Sequence, residues 1–209
     1  MDIIYPACDT DLFGRADALP LLWGLTSLRR HISLSTKAAL SRGTVHGLAD
    51  VSRVLGAAGR AMKVAVSITT KASVSRLERR ASSYEERIET LRLLNEAGLP
   101  TALNLRPLLT DVAAAEYLEV LEECRPYTVR LLLGDEYVDP AAPRPQVGLE
   151  ATDTFQISAR PGWVAVMEPW LRRASVDQSG RVAAAAERLE YRVFHSDLDL
   201  MDDVIARLR

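Results

Sequence analysis

The stretch KVAVSITT at 63–70, followed by YEERIETLRLLNEAGLPTALNL at 84–105, decides the fold. Lys63 to Thr69 is a short run, apolar on both faces, and so is TALNL at 101–105; such runs mark strands covered on both sides. Between them Tyr84, Ile88, Leu91 and Leu94 recur at helical spacing. Ser83, with Glu86 three residues on, makes a capping box. Gly98 stands where a left-handed cap is wanted, and Pro100 stops any continuation of the helix. Strand, helix and strand in this order form a βα unit whose crossover is right-handed.

The same alternation extends in both directions. DIIYP at 2–6, HISLS at 31–35 and YTVRLLL at 127–133 read as further strands. Helical stretches fall at 18–30, 48–60 and 111–124. Beyond Gly134 the character changes. Residues 135–162 carry Pro140, Pro143, Pro145 and Pro161 without a period, which marks a loop or lid. After it come an apolar run at Trp163 to Met167, a helix around 181–190, the strand-like YRVFH at 191–195 and a terminal helix from Leu200. The expected organisation is an α/β fold: a partial (β/α) barrel of parallel strands over 1–134, a proline-rich loop over 135–162, and a C-terminal α/β segment at 163–209 that completes the same domain.

Composition bounds the function. The 209 residues are 48% hydrophobic and 26% charged, enough for a packed core without staples. With 26 basic and 28 acidic residues, the net charge of -2 provides no electrostatic ground for a nucleic acid or an anionic membrane as partner. No apolar run approaches the ~20 residues of a membrane span. The acidic start MDIIYPACDTD is not a signal peptide. Two distant cysteines, Cys8 and Cys124, are not a disulfide framework, and a cytoplasmic setting is expected.

In parallel α/β folds ligands meet the loops after the strands' carboxyl ends. Those ends deliver Asp9, Thr10 and Asp11; Ser35, Thr36 and Lys37; Ser67, Thr69 and Thr70; Asn104 and Arg106; Gly134 and Asp135. Carboxylate, ammonium and hydroxyls together suit a small zwitterionic or nucleoside-like ligand. No P-loop and no GxGxxG is present, so phosphate cradling has no support. The plainer reading of each residue alone is a turn former or an N-cap.

At this point the sequence resembles a known family. Asp9-Thr10-Asp11, Ser35-Thr36-Lys37, Ser67-Ile68-Thr69-Thr70, Leu77-Glu78, Arg87, Ala97-Gly98-Leu99-Pro100-Thr101 and Pro107 follow the order and spacing of the radical S-adenosylmethionine (SAM) partial barrel. The similarity is to the spore photoproduct lyase-like branch and covers Asp2 to Leu133. It implies that Thr10 and Asp11 approach the SAM ribose. It further implies that Lys37 and Ser67 approach the methionyl group, and that Arg106 faces the adenosyl moiety or the substrate. The defining CxxxCxxC loop and the strand before it have no counterpart. The resemblance therefore places the start of this chain at the family's second strand, a barrel truncated at its N-terminal strand.

One remaining cysteine near the site does not hold a 4Fe-4S cluster. Three readings follow. The chain is a radical SAM-like subunit that binds SAM and takes its 4Fe-4S cluster from a cysteine-rich partner subunit. It is a cluster-free pseudoenzyme or scaffold subunit of a heteromeric complex. Or it is a βα-barrel lyase or aldolase that uses Lys37. The open sheet edge invites a partner or a self-dimer.

Other features read as structural. His195-Ser196-Asp197 looks like triad letters but reads as an N-cap, and Asp197, Asp199, Asp202 and Asp203 as a solvated acidic turn. Lys63 opens its strand at the end away from the site, and Lys71 lies past its strand. His31 and His46 lack partners. Arg76, Arg79 and Arg80 form a solvated basic loop, and Trp163 to Trp170 is expected in the core. The sequence singles out no catalytic residue and no metal ligand.

Overall fold

The computed structural model describes residues 2–7, 10–138, 156–158, 170–173 and 176–208. Among these residues eight strands form the frame: β1 (Ile3–Ile4), β2 (His31–Thr36), β3 (Met62–Ser67), β4 (Thr101–Leu108), β5 (Arg130–Val138), β6 (Gln156–Ser158), β7 (Trp170–Arg173) and β8 (Arg192–Phe194). Six of them, β1-β2-β3-β4-β5-β8, lie side by side and parallel. The far end of β5 continues into an antiparallel ribbon with β7 and β6. This is the expected α/β partial barrel with a C-terminal extension.

The helices are α1 (Ala18–Thr26), α2 (Arg42–Ala57), α3 (Val74–Leu77), α4 (Tyr84–Glu96), α5 (Ala114–Cys124), α6 (Val176–Arg188) and α7 (Asp197–Ala206). The capping box at the start of α4 is formed in both directions, Ser83 accepting from Glu86 N and Glu86 from Ser83 N. Gly98 has φ +71° and ends the helix in the left-handed region. The period finds the helices but misplaces their ends. α2 opens at Arg42 because Ser41 caps it, accepting from Thr44 N. α5 opens at Ala114 rather than at Asp111, and α7 at Asp197 rather than at Leu200. The apolar run at Trp163 to Met167, and most of the proline-rich stretch at 135–162, lie outside the described residues.

Alternation along the strands divides the core in two. Ile32, Leu34, Val64, Val66, Leu103, Leu105, Leu131 and Leu133 pack outward against α2, α4, α5 and α6 in one large cluster. Each fully buried leucine or valine contributes about 1.5–3 kcal/mol. The inner face is different. It carries Ser33 and Ser35 on β2, Lys63, Ala65 and Ser67 on β3, and Ala102, Asn104 and Arg106 on β4, with Gly134 on β5. Closed barrels fill this space with bulky branched side chains. Here α7 fills its lower part, with Leu200 packed on Ala65, Ala102, Leu132 and Phe194. The tips of β2, β3 and β4 are left with polar groups. Among the described residues no helix is long and apolar enough to cross a membrane.

Candidate ligand site at the strand tips

The register places Ser67 beside Asn104 on neighbouring strands. Ser35 Oγ and Ser67 Oγ lie 3.1 Å apart, and Asn104 Nδ2 donates to both, at 3.3 and 3.0 Å. Asn104 Oδ1 accepts from the backbone N–H of Arg106 at 3.0 Å, which fixes the amide's orientation. Two hydroxyl protons serve one serine–serine bond, so one O–H remains to donate outward. Ser67 and Asn104 are buried and Ser35 is exposed, so the cluster opens to solvent through Ser35.

A second layer surrounds this cluster. The Lys37 ammonium pairs with Glu78 Oε1 at 2.6 Å, and Glu78 Oε2 accepts from Arg87 Nη1 at 2.7 Å. The same Arg87 nitrogen donates to the carbonyl oxygen of Ser67 at 2.9 Å. Arg87 is fully buried and Glu78 nearly so, whereas the Lys37 side chain is 43% exposed. Burial opposes the charge on Glu78, but Lys37 and Arg87 more than offset it, and its carboxyl lies below the ordinary carboxylate value.

Asp11 caps the turn Leu12–Gly14 through Phe13 N at 3.0 Å, and both its oxygens accept from Thr36 Oγ1. It also accepts from the backbone N–H of Lys37 at 2.7 Å. Its carboxylate is thus engaged in joining the loop after β1 to the tip of β2. Thr10 beside it is exposed, with its N–H donating to Ala7 O at 3.3 Å. The Arg106 side chain passes close over Gly134, where a Cβ would come within 2.6 Å of Arg106 Cδ. Burial pushes the Arg106 guanidinium down from its ordinary value, partly offset by the charge of Asp197.

Of the residues expected at the site, Asp11, Lys37, Ser67 and Arg106 therefore belong to one chain of contacts. It runs from Asp11 to Lys37, through Glu78 and Arg87 to Ser67, and by Asn104 to Arg106. Thr10 adjoins it at the rim. The sequence marks Ser35 and Asn104 only as strand-end polar groups. Their opposition across β2, β3 and β4 is what alignment of the strands supplies.

One structural reading is corrected. Asp197 is not a solvated turn residue: it accepts from Ser33 Oγ at 2.7 Å and pairs with Lys63 Nζ at 2.5 Å on the inner face. Lys63 is buried, and burial pushes its ammonium down from the ordinary lysine value, with Asp197 acting in the opposite sense. Ser196 is the N-cap of α7, as the sequence indicates, accepting from Asp199 N at 3.1 Å. His195 is exposed with Nδ1 3.1 Å from Leu133 O. Cys124 is fully buried at the end of α5, where burial pushes its thiol far up. Among the described residues no group of three His, Cys, Asp or Glu is placed to hold a metal ion. A separate hollow of 230 Å³ between the first turns of α1 and α2, lined by Phe13, Arg15, Leu19 and Thr44 among others, shares no residue with the strand-tip cluster.

No family model matches the chain, and neither does any curated protein. Solved structures do. A spore photoproduct lyase structure superposes with a TM-score of 0.67 at 15% identity, covering 93% of this chain and 61% of that one. A variant of the lyase with bound AdoMet and dinucleoside spore photoproduct gives 0.68 at 14% identity, with the same coverage. The fold is that of the spore photoproduct lyase structures. Streptococcus suis SuiB shares it at 14% identity with a TM-score of 0.55, over 93% of this chain and 38% of SuiB. This chain thus spans 61% of the length of the spore photoproduct lyase chains it matches. In this shared frame the strand-tip cluster occupies the carboxyl ends of parallel strands, the edge at which α/β folds bind ligands.

Proposed function

We propose that the chain is a SAM-binding subunit of the spore photoproduct lyase-like type, whose radical chemistry depends on a 4Fe-4S cluster held by a cysteine-rich partner chain. The observation that carries the reading is the convergence of Ser35, Ser67 and Asn104 on one inner-face spot, with Lys37 held beside it by Glu78. Hydroxyls, an amide and an ammonium suit the amino-acid head group of SAM: the ammonium meets the carboxylate and the hydroxyl oxygens accept from the amine. Both oxygens of Asp11 are engaged by Thr36, Lys37 N and Phe13 N. Asp11 therefore shapes the loop beside the ribose, and Thr10 stands exposed there.

Bound next to a reduced cluster, SAM supplies hydrogen-atom abstraction; the cofactor, not the protein, carries that chemistry. The residues of this chain bind and orient. Arg87 fixes the Ser67 carbonyl, Glu78 fixes the lysine, and Arg106 stands over Gly134 at the next tip toward the substrate side. The three thiolates such a cluster requires exceed the two cysteines of the chain, one of which is buried in the core.

Calorimetric titration of SAM into the purified chain tests the first part. Wild type gives a saturable heat, and Lys37→Ala weakens the affinity at least tenfold, as loss of an ion pair to a carboxylate does. No heat with wild type, or equal affinity in the variant, contradicts it. Copurification from the native source tests the second part. A cysteine-rich chain carrying iron and sulfide is expected, and recovery of a heteromer without either supports the scaffold reading instead.

A further inference from the structure

The last helix enters the site from the inside of the sheet. α7 begins at Asp197, directly after its cap Ser196, and its Leu200 packs on Ala65, Ala102 and Leu132. That placement puts the Asp197 carboxylate between β2 and β3. One oxygen accepts from Ser33 Oγ at 2.7 Å and the other from Lys63 Nζ at 2.5 Å. The Lys63 side chain is 1% exposed, so an uncompensated ammonium there would be costly. Ser33 and Lys63 are register partners. By alternation β2 next presents Ser35 on the same face, and β3 presents Ala65, the register partner of Ser35, and then Ser67 at its tip. Asp197 also acts on the charge of Arg106 at the tip of β4.

We propose that Asp197 is a positioning residue for the strand-tip cluster. The β2–β3 ladder sets the strand spacing. The carboxylate sets what the ladder leaves free: the local curvature of an incomplete barrel and the placement of Ser35, Ser67 and Arg106 above it. Docking of α7 and occupation of the site are then one linked equilibrium, so a ligand at the strand tips strengthens the docking of the last helix. The inference deepens the reading of those tips as a ligand site and rests on it.

The test uses the full chain. Asp197→Asn leaves Lys63 buried without its counter-charge and destabilises the fold. Lys63→Met with Asp197→Asn removes the pair together, and stability returns toward wild type. The deciding readout is the Asn104 side-chain amide in nitrogen-15 NMR spectra, because Asn104 donates to both serines. Its resonances shift in both Asp197 variants and stay in place in Val51→Ala, a comparably destabilised control in the outer core. An unmoved Asn104 amide in the stability-restored double variant overturns the proposal, since a merely structural role recovers with stability. With SAM as probe, the double variant loses affinity about tenfold despite its recovered stability. A wild type that binds no SAM would count against the reading of the site, while the Asn104 amide still decides the role of Asp197.

Discussion

Arg87 Nη1 on α4 donates to the carbonyl oxygen of Ser67 at the tip of β3, 2.9 Å away and 20 residues back in the chain, while the same nitrogen holds Glu78 at 2.7 Å. One buried guanidinium thus fixes a strand tip and the acid that positions Lys37. Arg87→Met leaves Glu78 buried with one cation fewer and is expected to cost about 3–5 kcal/mol of stability. Replacing the pair together, Arg87→Met with Glu78→Leu, recovers most of that loss. Urea unfolding of the two variants checks this, and additive losses would count against the coupling.

The acid limb of stability tests the charge state of Glu78. Its carboxyl is depressed on folding, so it contributes stability above its unfolded value of 4.5 and loses it as pH falls through the lower folded value. The difference in unfolding free energy between wild type and Glu78→Gln is therefore constant above pH 4.5 and shrinks below it. A difference that widens toward acid would reverse the sign of the argument.

Gly134 is required by Arg106, not by a turn. A methyl group at 134 would meet Arg106 Cδ at 2.6 Å and Cγ at 2.9 Å. Gly134→Ala is expected to destabilise by about 1–3 kcal/mol by crowding. Arg106→Ala in the same chain relieves the clash, so a double-mutant cycle gives a clear interaction energy. A cycle that closes on simple addition would mean that the arginine swings away at no cost.

The capping box at Ser83 separates stability from binding. Ser83→Ala removes the bond to Glu86 N and is expected to cost about 1 kcal/mol. Arg87 sits one turn in and is also held by Glu78, so SAM affinity stays at the wild-type value. A matching drop in affinity would show that α4 is not rigid enough to carry the arginine.

Much of this architecture is legible in the sequence. The strands at Lys63 to Thr69 and at 101–105 and the cap signals around Ser83, Gly98 and Pro100 are local, and each is present, with the strand ends shifted to Met62–Ser67 and Thr101–Leu108. So is the set of polar strand ends, because parallel strands expose their carboxyl tips in common. What escaped is long-range. Asp197 meets Ser33 across 164 positions and Lys63 across 134. An acid in the first turn of a helix ordinarily faces water, and only the docking of Leu200 against the inner face turns this one inward. Lys63 does stand at the opening of its strand, as the sequence indicates, but the first residue of α7 meets it there and buries it. Asp11 shows another limit of local reading: its oxygens are largely engaged by the loop it holds.

The most direct test of the central claim follows a SAM titration residue by residue in the labelled full chain. The account predicts that signals of Ser35, Ser67, Asn104 and Arg106 move together along one binding curve. Shifts gathered instead around Phe13, Leu19 and Thr44 in the hollow between α1 and α2, or no shifts at saturating SAM, would contradict it.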